Sequence, residues 1–157
     1  MAHQADLLES LLRRVEVLED ERAIQALLTR YGFAVDSGDA AATMRLYAED
    51  CELDFDGAAF MHGRAETRNI VESEAHQSIL PNCAHIMGPF AVQLDGTRAT
   101  ATGYATVYVR EAGKTQIWRQ AYGRWELEKR GGEWQVVKRL SRAVGSREAQ
   151  DLLSRGL

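Results

Sequence analysis

At Pro81 the spacing of apolar residues changes from a period of 3.6 to a period of 2, and that change constrains the fold more than any other feature of the sequence. Before it, apolar side chains recur three and four residues apart, as on one face of a helix. After it they alternate, as on a half-buried strand. Three glycine-containing turns punctuate the second half: Asp95-Gly96, Ala112-Gly113 and Gly131-Gly132. Each lies between alternating runs, the pattern of antiparallel hairpins. Residues 99–109 carry Ala99, Ala101, Gly103, Ala105, Val107 and Val109 on one face, and Thr100, Thr102, Tyr104, Thr106 and Tyr108 on the other. The last two long runs are 115–130 and 133–144. Helices first and a four-stranded meander after give an α+β fold with segregated elements. Strands of this length twist strongly, and the helices are expected to cover one face of the sheet.

The helical half reads as several pieces. Leu8, Leu11, Val15 and Leu18 predict an amphipathic helix over residues 5–19, with Arg13, Arg14, Glu16 and Glu19 on its polar face. That helix either packs on its own domain or forms a short coiled seam with another subunit. The stripe restarts in a new phase with Ile24, Leu27, Leu28, Tyr31 and Val35, behind the acidic first turn Glu19-Asp20-Glu21. Ser37-Gly38 ends this second helix, and Asp39 is placed to N-cap a third, Ala40 to about Ala48, with Met44, Leu46 and Tyr47 inward. Cys51 to Phe55 reads as a short strand, and Gly57 and Gly63 bracket an irregular stretch. Residues 64–77 read as a helix with Ile70 and Val71 inward, and 146–155 as a short terminal helix.

Composition removes several classes of function. The chain of 157 residues is expected to be one domain, with a net charge of −4 and no basic run, so nucleic acid is not an expected partner. No apolar run approaches the roughly 18–20 residues that cross a bilayer, so no membrane partner is expected. The first residues resemble neither a signal nor a transit peptide, which makes a cytoplasmic setting the expectation. Cys51 and Cys83 form no CxxC pair, so no metal site is expected; one disulfide between them stays open.

The chemistry-bearing residues converge on Asp36 and His85. Asp36 sits at the C-terminal end of the second helix, where the carbonyls already present partial negative charge, at a cost of about 0.3–1 kcal/mol. A partner should offset that cost, and His85, which opens the first strand after Pro81, is the candidate. Neutral imidazole is available as a base near neutral pH, and a carboxylate on one ring nitrogen fixes its tautomer. Tyr31 lies near Asp36 on the same helix face and offers a phenolic donor for a developing oxyanion; Arg139 offers a full charge. Plainer readings stand beside these: Asp36 as a helix terminator, Tyr31 as core, Arg139 with Lys138 and Arg142 as a solvated strand face. Tyr104, Tyr108, Trp118, Tyr122 and Phe33 are candidates to line a substrate pocket, whereas Trp125 and Trp134 read as sheet packing. Met61, Met87, Phe60 and Phe90 read as core, His62 as a loop residue, and His76 and His3 as surface residues.

Three local strings resemble the SnoaL-like branch of the nuclear-transport-factor-two-like superfamily. They are Ala-Ile-Gln-Ala-Leu (23–27) with Asp36 twelve residues after its isoleucine, His85 opening a strand, and Gly-Gly-Glu-Trp-Gln-Val-Val-Lys-Arg (131–139). The resemblance covers roughly residues 15–145. It implies a cone-shaped α+β fold whose curved, mainly antiparallel sheet wraps a deep pocket, with 1–19 as a helical extension, 20–145 as the cone and 146–157 as a C-terminal helix or tail. Within the branch the chain looks most like the dehydratase and dehydrochlorinase members: scytalone dehydratase, hexachlorocyclohexane dehydrochlorinase and the bile-acid 7α-dehydratase. In these a histidine is the base and an aspartate its partner, matching His85 and Asp36. The dehydrochlorinase lysine is replaced here by Tyr31, as some dehydratases allow, which points to oxygen leaving groups or carbonyl substrates; its arginine matches Arg139. The further acidic residue of the bile-acid enzyme has no counterpart. The resemblance implies a lyase that uses no cofactor and no metal on a small apolar or aromatic substrate, assembled as a homo-oligomer, a trimer or alternatively a dimer. An isomerase or polyketide cyclase would use the same parts, and the fold also hosts non-catalytic binders.

Overall fold

A computed structural model describes residues 2–156, with side chains from residue 4 onward, so His3 lies outside the described side chains. The meander expected from the three turns is present as β3 (Cys83–Asp95), β4 (Arg98–Glu111), β5 (Lys114–Arg130) and β6 (Glu133–Ala143). Each turn dipeptide closes its hairpin: Asp95 pairs with Arg98, Glu111 with Lys114, and Arg130 with Glu133. The sheet nevertheless has six strands. β1 (Tyr47–Phe55) pairs in parallel with β6, and β2 (Ala59–His62) pairs antiparallel with β1, giving the order β2-β1-β6-β5-β4-β3. The stretch read as irregular between Gly57 and Gly63 is therefore largely the returning strand of a hairpin. Strand β1 is also longer than the short run read from Cys51, because buried Tyr47 and Ala48 already run along β6.

The N-terminal half needs a further correction. The two helices predicted on either side of Glu19 are one unbroken helix, α1 (Ala2–Asp36). The apolar stripe changes phase there, but no glycine or proline interrupts the backbone, so the helix continues while its packing does not. Ile24, Leu27, Leu28, Tyr31 and Val35 are buried, whereas Leu8, Leu11, Val15 and Leu18 are exposed. Gly38, at φ 71°, takes the left-handed conformation that turns the chain away. Asp39 then caps α2 (Ala40–Arg45) by accepting the Ala42 N–H at 2.8 Å. That helix stops three residues before the predicted end because Tyr47 enters β1. Residues 64–77 are not one helix either. They form a 3₁₀ turn (Arg64–Arg68), α3 (Asn69–Glu72) and α4 (Glu74–Gln77), broken at Ser73, whose extended backbone and side chain cap α4. Val71 is buried and Ile70 packs against the core, as the spacing predicted. A terminal helix, α5 (Arg147–Ser154), packs against β5 and β6.

The sheet is bent by one-residue offsets in its ladders. Between β4 and β5 the register skips Trp118; between β5 and β6 it skips Val137; and β3 is offset across Gly88-Pro89. Each offset kinks its strand and reverses which side chains face inward. The C-terminal half of α1 closes over the inner face against β3. Gly32 makes the approach possible, since a Cβ there would stand 2.8 Å from the His85 carbonyl oxygen.

Candidate active site

Helix α1 ends and strand β3 begins side by side, and this brings Asp36 to His85. The Asp36 carboxylate accepts the His85 main-chain N–H on Oδ2 at 2.8 Å and the ring Nδ1–H on Oδ1 at 2.6 Å. The thiol of Cys83 donates to the same Oδ1 at 3.4 Å. Burial and the nearby carboxylate push this thiol up to about 11, so it stays protonated and remains a donor. Three donors thus offset the charge that the end of α1 disfavours. With Nδ1–H donated to Asp36, the lone pair of the His85 ring is on Nε2. Burial pulls the His85 pKa below the ordinary histidine value. The hydrogen bond and charge of Asp36 oppose this, and the neighbouring His76 and Arg139 add to it. The net direction is downward, so the ring is neutral and basic at pH 7.

His85 stands on the wall of a cavity of about 390 Å³ whose lining is mostly apolar: Phe55, Met61, Ile70, Met87, Ala105, Val107 and Ala121, with Trp118 beside them. Tyr31 is 2% exposed and lines the same cavity, its ring edge-on to His85 at 6.4 Å. Arg139 also lines it and is 5% exposed. It is not a solvated strand residue. Its guanidinium carbon lies 4.0 Å from the ring centre of Trp125, 4.3 Å from Tyr31 and 4.6 Å from Phe55, and Nη1 donates to the Tyr47 hydroxyl at 3.2 Å. Nε is enclosed with no partner. Burying a cation costs several kcal/mol, and each aromatic face returns about 0.5–2 kcal/mol. Those terms are of similar size, so the aromatic box makes the charge tolerable without a carboxylate.

The offset at Val137 explains why Arg139 is inside. Strict alternation from buried Trp134 and Val136 would carry Lys138 inward and Arg139 outward; one skipped residue exchanges them. The offset at Trp118 likewise lets the consecutive residues Trp118 and Arg119 both line the cavity. The other aromatic candidates are not there. Tyr104, Tyr108 and Tyr122 are on the opposite face of the sheet from Ala105, Val107 and Ala121. Tyr104 and Tyr122 pack edge-to-face across strands with ring centres 5.4 Å apart. Phe33 points away from the core at 69% exposure. The expectation that these four line the pocket is corrected: aromatic clustering in the sequence does not say which face of a sheet is roofed.

His76 reverses the opposite way. Read as a surface residue, it is 6% exposed, lines the cavity and lies 5.5 Å from the His85 ring. Its Nε2 is 2.8 Å from the Val35 carbonyl oxygen, in the last turn of α1, which also accepts the Gly38 N–H at 3.1 Å. Nothing in the local sequence marks it, because α4 is too short to show a period. Arg119 was also missed; it donates from Nη1 to Asp56 at 2.6 Å and from Nη2 to Ser141 at 3.3 Å at the edge of the cavity. Met61 and Met87 line the cavity, and Phe60 is exposed. Trp125 and Trp134 pack in the core, as read. His62 is exposed on β2, outside the cavity lining.

Both cysteines are free thiols. Asp36, Cys83 and His85 offer three ligand atoms within 4.8 Å of one another, but the aspartate oxygen and the histidine Nδ1 are hydrogen-bonded to each other, so a metal ion would have to displace that proton. Among the described residues no helix is long and apolar enough to cross a membrane.

The model of the SnoaL-like domain family matches residues 16–140. No curated protein matches the sequence. Among solved structures, a nuclear transport factor two-like protein with a cystatin-like fold from Novosphingobium aromaticivorans is 34% identical, with a TM-score of 0.89, over 93% of this chain and 96% of that one. A hexachlorocyclohexane dehydrochlorinase from Novosphingobium barchaimii is 17% identical over 83% of this chain and 90% of its own, with a TM-score of 0.71. A proposed scytalone dehydratase from Novosphingobium aromaticivorans is 18% identical over 81% and 85%, with a TM-score of 0.70. At these last two identities the likeness is one of fold.

Proposed function

Because the chain belongs to the SnoaL-like domain family, we propose that it is a dehydratase-like lyase in which His85 is the general base. Nε2 of His85 takes a proton from a carbon beside a carbonyl or beta to a leaving oxygen. Asp36 holds the ring in the Nδ1–H tautomer and stabilises the imidazolium that forms. Tyr31 and Arg139 stabilise the oxygen on which negative charge develops, an enolate or a departing hydroxyl. These side chains carry out the reaction without a cofactor. The substrate is small and largely apolar or aromatic, in keeping with a cavity of about 390 Å³ and its lining. The observation that carries this reading is the pair of hydrogen bonds that His85, on the wall of that cavity, donates to Asp36. An isomerase or cyclase would begin with the same proton abstraction and differ only in the fate of the anion. A homo-oligomer is part of the reading, a trimer or else a dimer. It is supported by seven large apolar side chains between Leu7 and Leu18 that stand 45% to 64% exposed on α1.

The test is a screen of small hydroxy-ketones and phenolic alcohols for loss of water, with His85→Ala as the control. The variant should fold as the wild type does and lose at least about a hundredfold in turnover. Near-native turnover in a folded His85→Ala protein would remove the base.

A further inference from the structure

Arg139 is the buried arginine of this chain, and no carboxylate lies within ion-pair reach of it among the described residues. The other arginines that are partly buried, Arg64, Arg119, Arg124 and Arg142, each face an acidic group. The polar partner the chain offers Arg139 is the phenol of Tyr47, which burial pushes well above its ordinary value and so keeps uncharged. A guanidinium cannot give up its proton to escape the cost of burial. A positive charge without a carboxylate partner is thus held on the wall of a cavity that is otherwise mostly apolar. Its planar fork matches a carboxylate.

We propose that the substrate carries a carboxylate that binds Arg139 before reaction, with an apolar or aromatic body filling the rest of the cavity toward Met61, Met87 and Trp118. This rests on the reading of the cavity as the substrate site, narrows it to small carboxylic acids, and leaves Tyr31 as the donor to the oxygen on which negative charge develops. Two features select the ligand. The guanidinium is stacked against the rings of Tyr31 and Phe55 at 4.3 and 4.6 Å, so an aryl or alicyclic body attached to the carboxylate meets aromatic surface next to the charge. Arg119, the other cation on the lining, is already paired with Asp56, so a monoanion is balanced by Arg139, whereas a phosphate dianion adds an uncompensated negative charge.

The test is ligand binding, read by calorimetry or by NMR shifts of the His85 and Trp118 signals, for benzoate and cyclohexanecarboxylate against the neutral benzamide. Wild type should prefer the carboxylates by at least about tenfold. Arg139→Lys should keep part of that preference, and Arg139→Met, checked for folding by near-ultraviolet circular dichroism, should abolish it. His85→Asn should retain the preference, because the anion site does not depend on the base. Equal or weaker binding of the carboxylates by wild type, or the absence of saturable carboxylate binding at millimolar concentration, overturns the proposal without any variant. Retention of the preference in a folded Arg139→Met protein overturns it as well. Carboxylate preference together with full turnover in His85→Ala would instead keep this proposal and discard the base, so the two failures are distinct.

Discussion

Gly32 of α1 and the main-chain carbonyl of His85 are packed so closely that a Cβ on residue 32 would stand 2.8 Å from the carbonyl oxygen. Strand β3 can therefore lie against the helix at the one place where Asp36, four residues later, reaches both N–H groups of His85. A glycine inside a helix costs about 0.5–1 kcal/mol relative to alanine, and here the helix accepts it to set the position of Asp36 against His85.

Gly32→Ala is expected to destabilise the protein by about 1–3 kcal/mol, because overpacking against backbone outweighs the gain in helix propensity. Turnover should fall with it as His85 is displaced. Thermal unfolding and steady-state kinetics check this; equal stability and equal turnover would show that α1 and β3 do not need the close approach.

Asp36→Asn should lower turnover by about 10²–10⁴-fold, since the ring loses the carboxylate that selects its tautomer. The pH profile carries a sign as well. Burial lowers the His85 pKa, so kcat/KM of the wild type should rise through an ionisation below the usual histidine value of about 6.5 and stay level above neutrality. Asp36 opposes that lowering, so Asp36→Asn should move the rising limb to still lower pH. The same shift affects stability. The unfolded chain takes up the proton first, so the contribution of neutral His85 is present above about pH 6.5 and lost as pH falls through the folded value. Urea unfolding of wild type and His85→Asn at several pH values should show a shallower acid loss in the variant.

Arg139→Met should behave differently alone and in combination. By itself it leaves the buried Tyr47 hydroxyl without its donor, at about 1–3 kcal/mol. With Tyr47→Phe added, both polar groups are gone and a buried charge has been removed, so the double variant should be more stable than the sum of the single effects. Urea unfolding of the four proteins in the cycle measures this; strict additivity would mean that the two side chains are not coupled.

The exposed apolar stripe on the first half of α1 should carry assembly. Light scattering after size exclusion is expected to give a trimer, or else a dimer, and Leu11→Glu with Val15→Glu should lower the mass without unfolding the domain. A wild-type monomer at micromolar concentration would contradict it.

Much of the fold was legible because it rests on local chemistry. The turn dipeptides at 95–96, 112–113 and 131–132 mark hairpins whatever the rest of the chain does, and Asp39 caps a helix because its side chain reaches an amide three residues on. The break predicted near Glu19 failed for the complementary reason: a change of stripe phase reports a change of packing partner, and α1 keeps its backbone bonds through it. The site was partly legible. Asp36 and His85 lie 49 residues apart, and resemblance to known sequences, rather than spacing, pairs them.

By itself the sequence determined the period of each segment, the places where the chain turns, and the residue types able to move a proton. Only the tertiary structure decided which of them meet. One skipped residue at Val137 puts Arg139 inside and another brings Trp118 to the cavity, while the unbroken alternation of β4 leaves Tyr104 and Tyr108 on the outer face. Side chains alternate along a strand with a period of two, so a single offset in the ladder exchanges inside for outside for every residue beyond it. The offset is set by pairing with a neighbouring strand, which no local pattern records.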